Sequence, residues 1–473
     1  MKIIQLVNGY SKGDGVGNVI AAIDGLLKKI GYDTEIHNKT LSFFDLDNAD
    51  YSEENMVFYH VALSVDPLIC YLKCRKILVF HNITDPQLLL GSGLAQMRTA
   101  CSAGLYDIQG IADYFESAIV FSKYSLNVLV KSGWDENKIK IIPIIVRLEK
   151  MSADIDEKVY ESFTDGKVNI LFTGRVFPNK KQESLIYSFK EYYEKYNKES
   201  RLLIVGNHSN MAYYDSLKKV VRELGLEKNV IFTGRVSLSE YVTYYKVADV
   251  FLCMSEHEGF CIPLVEAMYF DIPIVALNRT AVSDTLSGCG VLLDDKDYGR
   301  FAIEINKIMQ DEKYRNTILE GQKRRLNELK ASVLESQYKQ LLEAIIYDTS
   351  AVSQYKPFDS NAAIGDRISV PDNLRTEINV IYGYGAAGSR LYDKLSEIGL
   401  NNVVICDSYK GGSIESGRKI ENPYEVFGSY KDANYIVSIQ DKGIIKNVVC
   451  LLKDNGISQS RIYIYDEINE III

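Results

Sequence analysis

The sequence predicts an α/β protein made of parallel sheets covered by helices on both faces, in three successive units. Short β-branched runs alternate with stretches whose apolar residues recur at helical spacing, which is the pattern of βαβ units. The series restarts twice, after a polar stretch near residues 151–166 and after residues 348–375. A length of 473 residues suits about three domains at ~150 residues each.

In residues 1–150 the expected strands are Lys2–Asn8, Asn55–His60, Lys76–Ile83, Ser117–Phe121 and Lys138–Ile145, with a helix at Val16–Ile30. Residues 151–330 repeat the pattern, with strands at Val168–Thr173, Arg201–Val205, Asn229–Thr233, Val250–Met254, Ile272–Ala276 and Gly290–Leu293. Helices such as Lys181–Tyr196 and Met211–Leu224 fill the gaps, and Ser237 with Glu240 has capping-box spacing. Tyr298–Tyr347 is helical in pattern and free of Pro. Asp348–Arg375 is rich in Ser, Asp, Asn and Pro without periodicity and reads as a linker. A third series fills 376–473, with strands at Ile378–Tyr382, Asn402–Cys406, Tyr435–Ser438 and Arg461–Tyr465 and a helix around Ser389–Ile398.

Composition excludes several classes. An apolar fraction of 47% with 25% charged residues belongs to a folded globular chain, not to a disordered or fibrous one. Lys and Arg number 54 against 63 Asp and Glu, a net charge of −9, which argues against a nucleic-acid binder. The acidic balance also weakens docking on anionic lipid, although Lys73–Lys76 offers a basic patch for peripheral membrane contact. No run approaches the ~18–20 apolar residues of a membrane span, and the start lacks the features of a signal peptide. The eight Cys form no C-x-x-C pair or zinc-like cluster, so a reduced, cytoplasmic protein is expected, with Cys70 and Cys74 as buried thiols.

Chemistry concentrates at strand ends. Glu258-Gly-Phe-Cys-Ile-Pro-Leu-Val-Glu266 follows an expected strand and opens a helix at Pro263, a favoured first-turn residue. The backbone N–H groups of Gly259, Phe260 and Cys261 would lie at a helix N-terminus, suited to an anion or sugar hydroxyls, and Glu266 could reach a diol such as a ribose. Read alone, the pattern is better explained by two surface acids flanking a turn. Arg175 and Lys180, in Gly174-Arg-Val-Phe-Pro-Asn-Lys180, follow the first strand of the same domain and suit a pyrophosphate. By itself this could be a solvated basic loop; on the same sheet edge as the acidic motif, it reads as functional. Gly13-Asp-Gly15-Val16-Gly17 follows the first strand of the chain and would let backbone approach a ligand. His81 and His60 end neighbouring strands, where a hydrogen-bonded structural histidine is the competing reading.

In this order, the Gly-rich loop, His81-Asn82-Ile83-Thr84, Gly174-Arg175-x-x-Pro178-x-Lys180 and Glu258-x7-Glu266 resemble the retaining glycosyltransferases of family four, over about residues 1–347. The resemblance implies a GT-B fold, two Rossmann-like domains facing a cleft. Residues 1–150 would be the acceptor side, 151–330 the donor side, and 331–347 a helix crossing back. It also implies that Arg175 and Lys180 bind the donor diphosphate and that Glu266 holds the ribose. Glu258 and the backbone of Gly259, Phe260 and Cys261 would contact the transferred sugar, His81 would lie near sugar and acceptor, and Gly15, Val16 and Gly17 would close over the donor. Cys261 stands where Gly is commoner, and Asp85 where Pro often follows Ile-Thr.

The expected activity is hexose transfer with retention from a UDP- or GDP-sugar to a glycan or lipid-linked glycan, in surface polysaccharide synthesis. Arg175, Lys180, Glu258 and His81 would be its catalytic residues. Stabilisation of the leaving diphosphate by Arg175 and Lys180 would replace a metal, and no other cofactor is expected. Phe43, Phe44, Leu88 and Leu89 are acceptor-side candidates. A non-hydrolysing nucleotide-sugar epimerase of the same fold and a non-catalytic partner or scaffold subunit are the alternatives.

Gly383-Tyr-Gly385-Ala-Ala-Gly388 sits between a strand and a helix, and Asp407 ends the next strand, the full context of a dinucleotide fingerprint. The segment resembles small Rossmann-type nucleotide-binding domains appended to polysaccharide-synthesis proteins. Gly383, Gly385, Gly388 and Asp407 are therefore candidates for an accessory nucleotide site, with a purely structural or assembly role as the other reading.

Overall fold

The computed structural model describes the chain except residues 11–14, 43–44, 47, 348–373, 375–376, 398, 401, 409, 416–417, 440–441, 459–460, 467–470 and 473. Gly13, Asp14, Phe43, Phe44 and nearly all of the expected linker therefore lie outside the described residues. The chain forms two compact units, Met1–Lys356 and Pro357–Ile473.

The first unit holds two six-stranded parallel sheets. One contains β1 (Lys2–Val7), β2 (Asp33–Asn38), β3 (Met56–Val61), β4 (Arg75–Phe80), β5 (Ser117–Val120) and β6 (Ile139–Ile141), in the order β2-β1-β3-β4-β5-β6. Central strands β1, β3 and β4 are buried on both faces, which is why they read as near-continuous apolar runs. The sequence reading missed β2, since Asp-Thr-Glu-Ile-His-Asn lacks such a run; pairing with β1 makes it a strand. Strands expected to reach Ile83 and Ile145 stop at Phe80 and Ile141, the latter two residues before Pro143. The helices here are α1 (Gly15–Lys29), α2 (Ala95–Gly110) and α3 (Lys123–Lys131).

The other sheet contains β7 (Val168–Thr173), β8 (Ser200–Val205), β9 (Val230–Gly234), β10 (Val250–Cys253), β11 (Ile274–Leu277) and β12 (Val291–Leu293), in the order β12-β11-β10-β7-β8-β9. Around it lie α4 (Glu157–Phe163), α5 (Gln182–Lys195), α6 (Met211–Glu223), α7 (Leu238–Lys246), α8 (Ile262–Tyr269), α9 (Val282–Leu286), α10 (Tyr298–Gln310), α11 (Glu312–Glu328) and α12 (Ala331–Tyr347). Helix α4 occupies the polar stretch read from sequence as a boundary. Ser237 and Glu240 form the expected capping box on α7.

Helix α12 returns to the first sheet. Its Leu334, Tyr338, Leu342 and Ile345 are buried in one cluster with Ile3, Phe58 and Val79, each such side chain contributing about 1.5–3 kcal/mol by burial. Arg75 donates from Nη1 to the Ile346 carbonyl (2.7 Å) and from Nη2 to the Ile345 carbonyl (2.9 Å), satisfying the end of the helix, while Glu116 grips the same guanidinium.

In the second unit, β13 (Asn379–Tyr382), β14 (Val403–Cys406), β17 (Asn434–Val437), β18 (Ile462–Asp466) and β19 (Ile471–Ile472) form a sheet ordered β14-β13-β17-β18-β19, parallel up to the antiparallel edge β19. A small hairpin, β15 (Ile414–Glu415) and β16 (Arg418–Lys419), follows β14. Helix Ala386–Glu397 covers one face through Leu391 and Leu395.

Candidate functional site

In the first unit, the loop after β4 meets the loop after β10. A Cβ on Gly259 would stand 2.8 Å from the His81 carbonyl oxygen and 3.1 Å from Asn82 Cβ, so glycine is what lets these loops touch. Asn82 adopts φ +72°, a left-handed conformation that Asn tolerates, and its Nδ2 donates to His257 Nε2 (2.8 Å). Burial lowers the His257 pKa, so the ring is neutral and that nitrogen is free to accept. Asn179 Nδ2 holds the same segment from the other sheet through the His257 carbonyl (2.9 Å). The buried oxygens Asn82 Oδ1, Asn179 Oδ1 and Gln182 Oε1 have no protein partner, leaving acceptors for hydroxyl groups at this junction.

Glu258 and Lys180 form the charged centre. Lys180 Nζ lies 2.6 Å from Glu258 Oε1, with both side chains largely buried. Burial pulls the Lys180 pKa down, but the adjacent carboxylate outweighs it and the net shift is upward, so the ammonium stays charged. The Glu258 N–H donates to Thr280 Oγ1 (2.9 Å). Among the described residues, the next three N–H groups, of Gly259, Phe260 and Cys261, donate to no protein acceptor. They point to an open donor set where α8 begins.

Helix α8 starts at Ile262, one residue before the expected Pro263, because Cys261 caps it at φ +71°. Glycine adopts that left-handed conformation without steric cost, so Cys261 holds it against the preference of a residue with a Cβ. The Phe260 side chain is buried in the core cluster of the first sheet, and the contact expected of this residue involves only its backbone N–H. Arg175 follows β7 with its guanidinium 4.1 Å from the Phe177 ring, and Gln182 Nε2 holds its carbonyl (3.1 Å).

Glu266 sits in a tyrosine cage that the sequence reading missed. Tyr241 and Tyr245 hydroxyls each donate to Oε2 at 2.8 Å, and the Tyr245 hydroxyl also lies 2.6 Å from Thr173 Oγ1. Burial raises the Glu266 pKa, and the two hydroxyls partly offset it. The i,i+4 spacing of Tyr241 and Tyr245 on α7 was the available signal.

His81 belongs to a relay. Gln5 Nε2 donates to the Ile20 carbonyl (3.2 Å), which turns Gln5 Oε1 toward His60 Nε2 (3.1 Å). His60 must therefore carry its proton on Nε2. Burial keeps it neutral, leaving Nδ1 to accept from His81 Nε2 (2.9 Å). Burial also pushes the His81 pKa down to about 3, so its Nδ1 is a lone-pair acceptor. Gly15, Val16 and Gly17 open α1 at the same C-terminal sheet edge. Leu88 and Leu89 lie in a short 3₁₀ turn that approaches the turn at Pro178–Lys180.

Gly383 and Gly385 lie in the turn between β13 and its helix in the second unit, Gly388 lies in the first turn of that helix, and Asp407 follows β14. Among the described residues, one group has metal-ligand spacing, Glu35, His37 and Asp50; Lys2 Nζ already lies 2.9 Å from Glu35 and 3.0 Å from Asp50. Cys70 and Cys74 are free and buried, as expected. No helix among the described residues is long and apolar enough to cross a membrane.

Residues 154–325, which include Arg175, Lys180, Glu258 and Glu266, match the family model Glycosyl transferases group 1. The capsular polysaccharide biosynthesis glycosyltransferase CapM of Staphylococcus aureus is 28% identical over 256 residues, 50% of this chain and 66% of that protein. The D-inositol 3-phosphate glycosyltransferase of Mycolicibacterium smegmatis is 28% identical over 214 residues, 43% of this chain and 48% of that protein. The chain thus spans about half to two thirds of the length of these relatives. Anabaena Alr3699/HepE, solved with UDP and glucose, superposes with TM-score 0.56 at 16% identity, covering 73% of this chain and 100% of that one. Sucrose-phosphate synthase from Thermosynechococcus elongatus does so with TM-score 0.57 at 16% identity, covering 73% and 99%. The fold is GT-B.

Proposed function

We propose that the junction between the two sheets of the first unit transfers a hexose from a UDP- or GDP-sugar to a glycan or lipid-linked glycan, with retention at the anomeric carbon and without a metal. The observation that carries this reading is the Lys180–Glu258 pair, 2.6 Å apart, beside the open N–H groups of Gly259, Phe260 and Cys261. When the donor binds, Lys180 and Arg175 face its diphosphate and stabilise the charge that builds there as the sugar departs. The N–H groups at α8 add donors that need no reorganisation. Glu266, held by Tyr241 and Tyr245, accepts from the ribose hydroxyls, and Glu258 accepts from the sugar. His81 Nδ1 accepts from a hydroxyl of sugar or acceptor. A lipid-linked acceptor would bring the protein to a membrane surface, and the relative named for capsular polysaccharide biosynthesis supports an acceptor that is a glycan.

Incubation with a panel of UDP- and GDP-sugars, read by mass spectrometry, tests the proposal. Release of UDP or GDP, with sugar transfer or slow donor hydrolysis, is the expected result. Isomerised donor would instead support an epimerase, and absence of any turnover a scaffold.

A further inference from the structure

Two of the eight cysteines stand at the foot of the loop that carries the site. Cys253 ends β10 and Cys261 caps α8, and the segment between them holds Glu256, His257, Glu258 and Gly259. Both are buried in one cluster with Leu264 and Ala276, at 0% and 7% exposure. Their thiols lie within hydrogen-bond reach of each other, and the Cys253 thiol also donates to the Ser255 hydroxyl (3.6 Å). Position 261 takes a left-handed φ of +71°, which glycine would meet at no cost. What cysteine adds there, against that cost, is a sulfur beside Cys253.

The surroundings set Cys253 apart. Burial raises the pKa of Cys70, Cys74, Cys101, Cys289 and Cys406, which keeps those thiols protonated and inert. At Cys253 the hydrogen bond from Cys261 outweighs burial, and the shift is downward. The same hydrogen bond and burial raise Cys261, while the Lys180 ammonium acts against that rise. One proton of the pair is therefore held more weakly than those of the other buried thiols.

We propose that Cys253 and Cys261 are a peroxide-sensitive thiol pair whose oxidation to a disulfide switches the donor site off. The proton between the sulfurs passes to Cys253, and the Cys261 sulfur, the more exposed one, attacks an oxygen of a hydroperoxide. The O–O bond breaks, leaving a sulfenic acid on Cys261 and a hydroxide or alkoxide that takes the proton from Cys253. The Cys253 thiolate then attacks the sulfenic sulfur, the S–S bond forms, and the departing hydroxide is protonated by solvent. Two thiols are oxidised, and one peroxide is reduced to two waters or to water and an alcohol. Covalent closure draws Cys261 toward β10, and the N–H groups of Gly259, Phe260 and Cys261 lose their aim at the donor. A dithiol reductant reverses the step. Formation of the bond stands by itself; its effect on turnover rests on the donor-site reading.

The test treats the full-length protein with hydrogen peroxide. Mass spectrometry reads the intact mass and a non-reducing peptide map, alongside release of UDP or GDP from the donor. The expected result is a loss of about 2 Da with Cys253 and Cys261 in one linked peptide, a drop in turnover of at least about tenfold, and recovery of both with dithiothreitol. Cys253→Ser, or Cys253→Ala if that variant folds poorly, should turn over like the wild type and keep its rate under peroxide. Absence of the linked peptide overturns the proposal whatever the turnover. A linked protein that keeps the untreated rate, or equal inactivation of the Cys253 variant, also overturns it. A reversible link in a protein that turns over no donor supports the pair and counts against the donor-site reading.

Discussion

His60 Nδ1 and His81 Nε2 stand 2.9 Å apart, and the proton between them belongs to His81. Gln5, fixed by the Ile20 carbonyl, dictates the His60 tautomer, and His60 dictates that of His81. Long-range ¹H–¹⁵N correlation spectra should show both rings neutral, each with its proton on Nε2. In His60→Ala the His81 tautomers should mix, and kcat should fall by about a hundredfold with a smaller change in KM. His60→Gln, whose carbonyl can accept the same proton, should restore part of it. An unchanged His81 tautomer in His60→Ala would remove the relay.

Acid should unfold the first unit through its histidines. His60, His81 and His257 all have pKa values below the usual 6.5, His81 down to about 3, because burial disfavours the cation. As pH falls below ~6.5 the unfolded chain takes up protons that the folded chain refuses, so stability drops with pH. Three such sites give a limiting slope of roughly 4 kcal/mol per pH unit. Denaturant melts from pH 7 to pH 5 should show the decline, and His60→Gln should make it shallower.

Gly259→Ala should separate folding of the donor-side sheet from assembly of the site. The added methyl meets the backbone of His81, so the loops after β4 and β10 must part. Turnover should fall at least about tenfold, with the circular dichroism spectrum unchanged. Wild-type turnover would show that the loops need not touch.

Glu266→Gln should be stabilising and inactivating together. Folding raises the Glu266 pKa, so the ionised carboxylate opposes folding above that pKa and the opposition vanishes when acid protonates it. Gln keeps an oxygen for Tyr241 and Tyr245 without the charge. The variant should melt above wild type at pH 8, with the gap closing toward pH 4, while donor turnover drops. A lower melting temperature at pH 8 would contradict this account.

Lys180→Met leaves Glu258 buried without its cation, a loss of about 3–5 kcal/mol. Adding Glu258→Gln should recover most of that stability and none of the turnover. Wild-type turnover should survive a chelator, since Arg175 and Lys180 supply the charge; dependence on added Mn²⁺ or Mg²⁺ would reverse that reading.

The strand-end positions of the candidate residues were legible from sequence because they are local. Lys180 and Glu258 each follow a strand in an identifiable motif, and their meeting across 78 positions follows from β7 and β10 being neighbours. Strand β2 was not legible, because its pairing with β1 and not its own residues makes it a strand. The Asn82–His257 clamp and the tyrosine cage were missed for the same reason: no periodicity reports which side chains meet between elements. His60 was visible as a strand-end residue, but the tautomer of its ring depends on Gln5, 55 positions away.

The return of α12 to the first sheet also sets an order of events during synthesis. The strands of the first sheet are complete by residue 141, but their core lacks Leu334, Tyr338, Leu342 and Ile345 until the whole second sheet has been made. At ~5–20 residues per second the ribosome takes ~10–40 s to add those intervening residues. Throughout that interval the face formed by Ile3, Phe58 and Val79 is without its cover. The nascent chain is thus most exposed to aggregation in its earliest-made part, and a chain cut before residue 331 would keep that exposure for good.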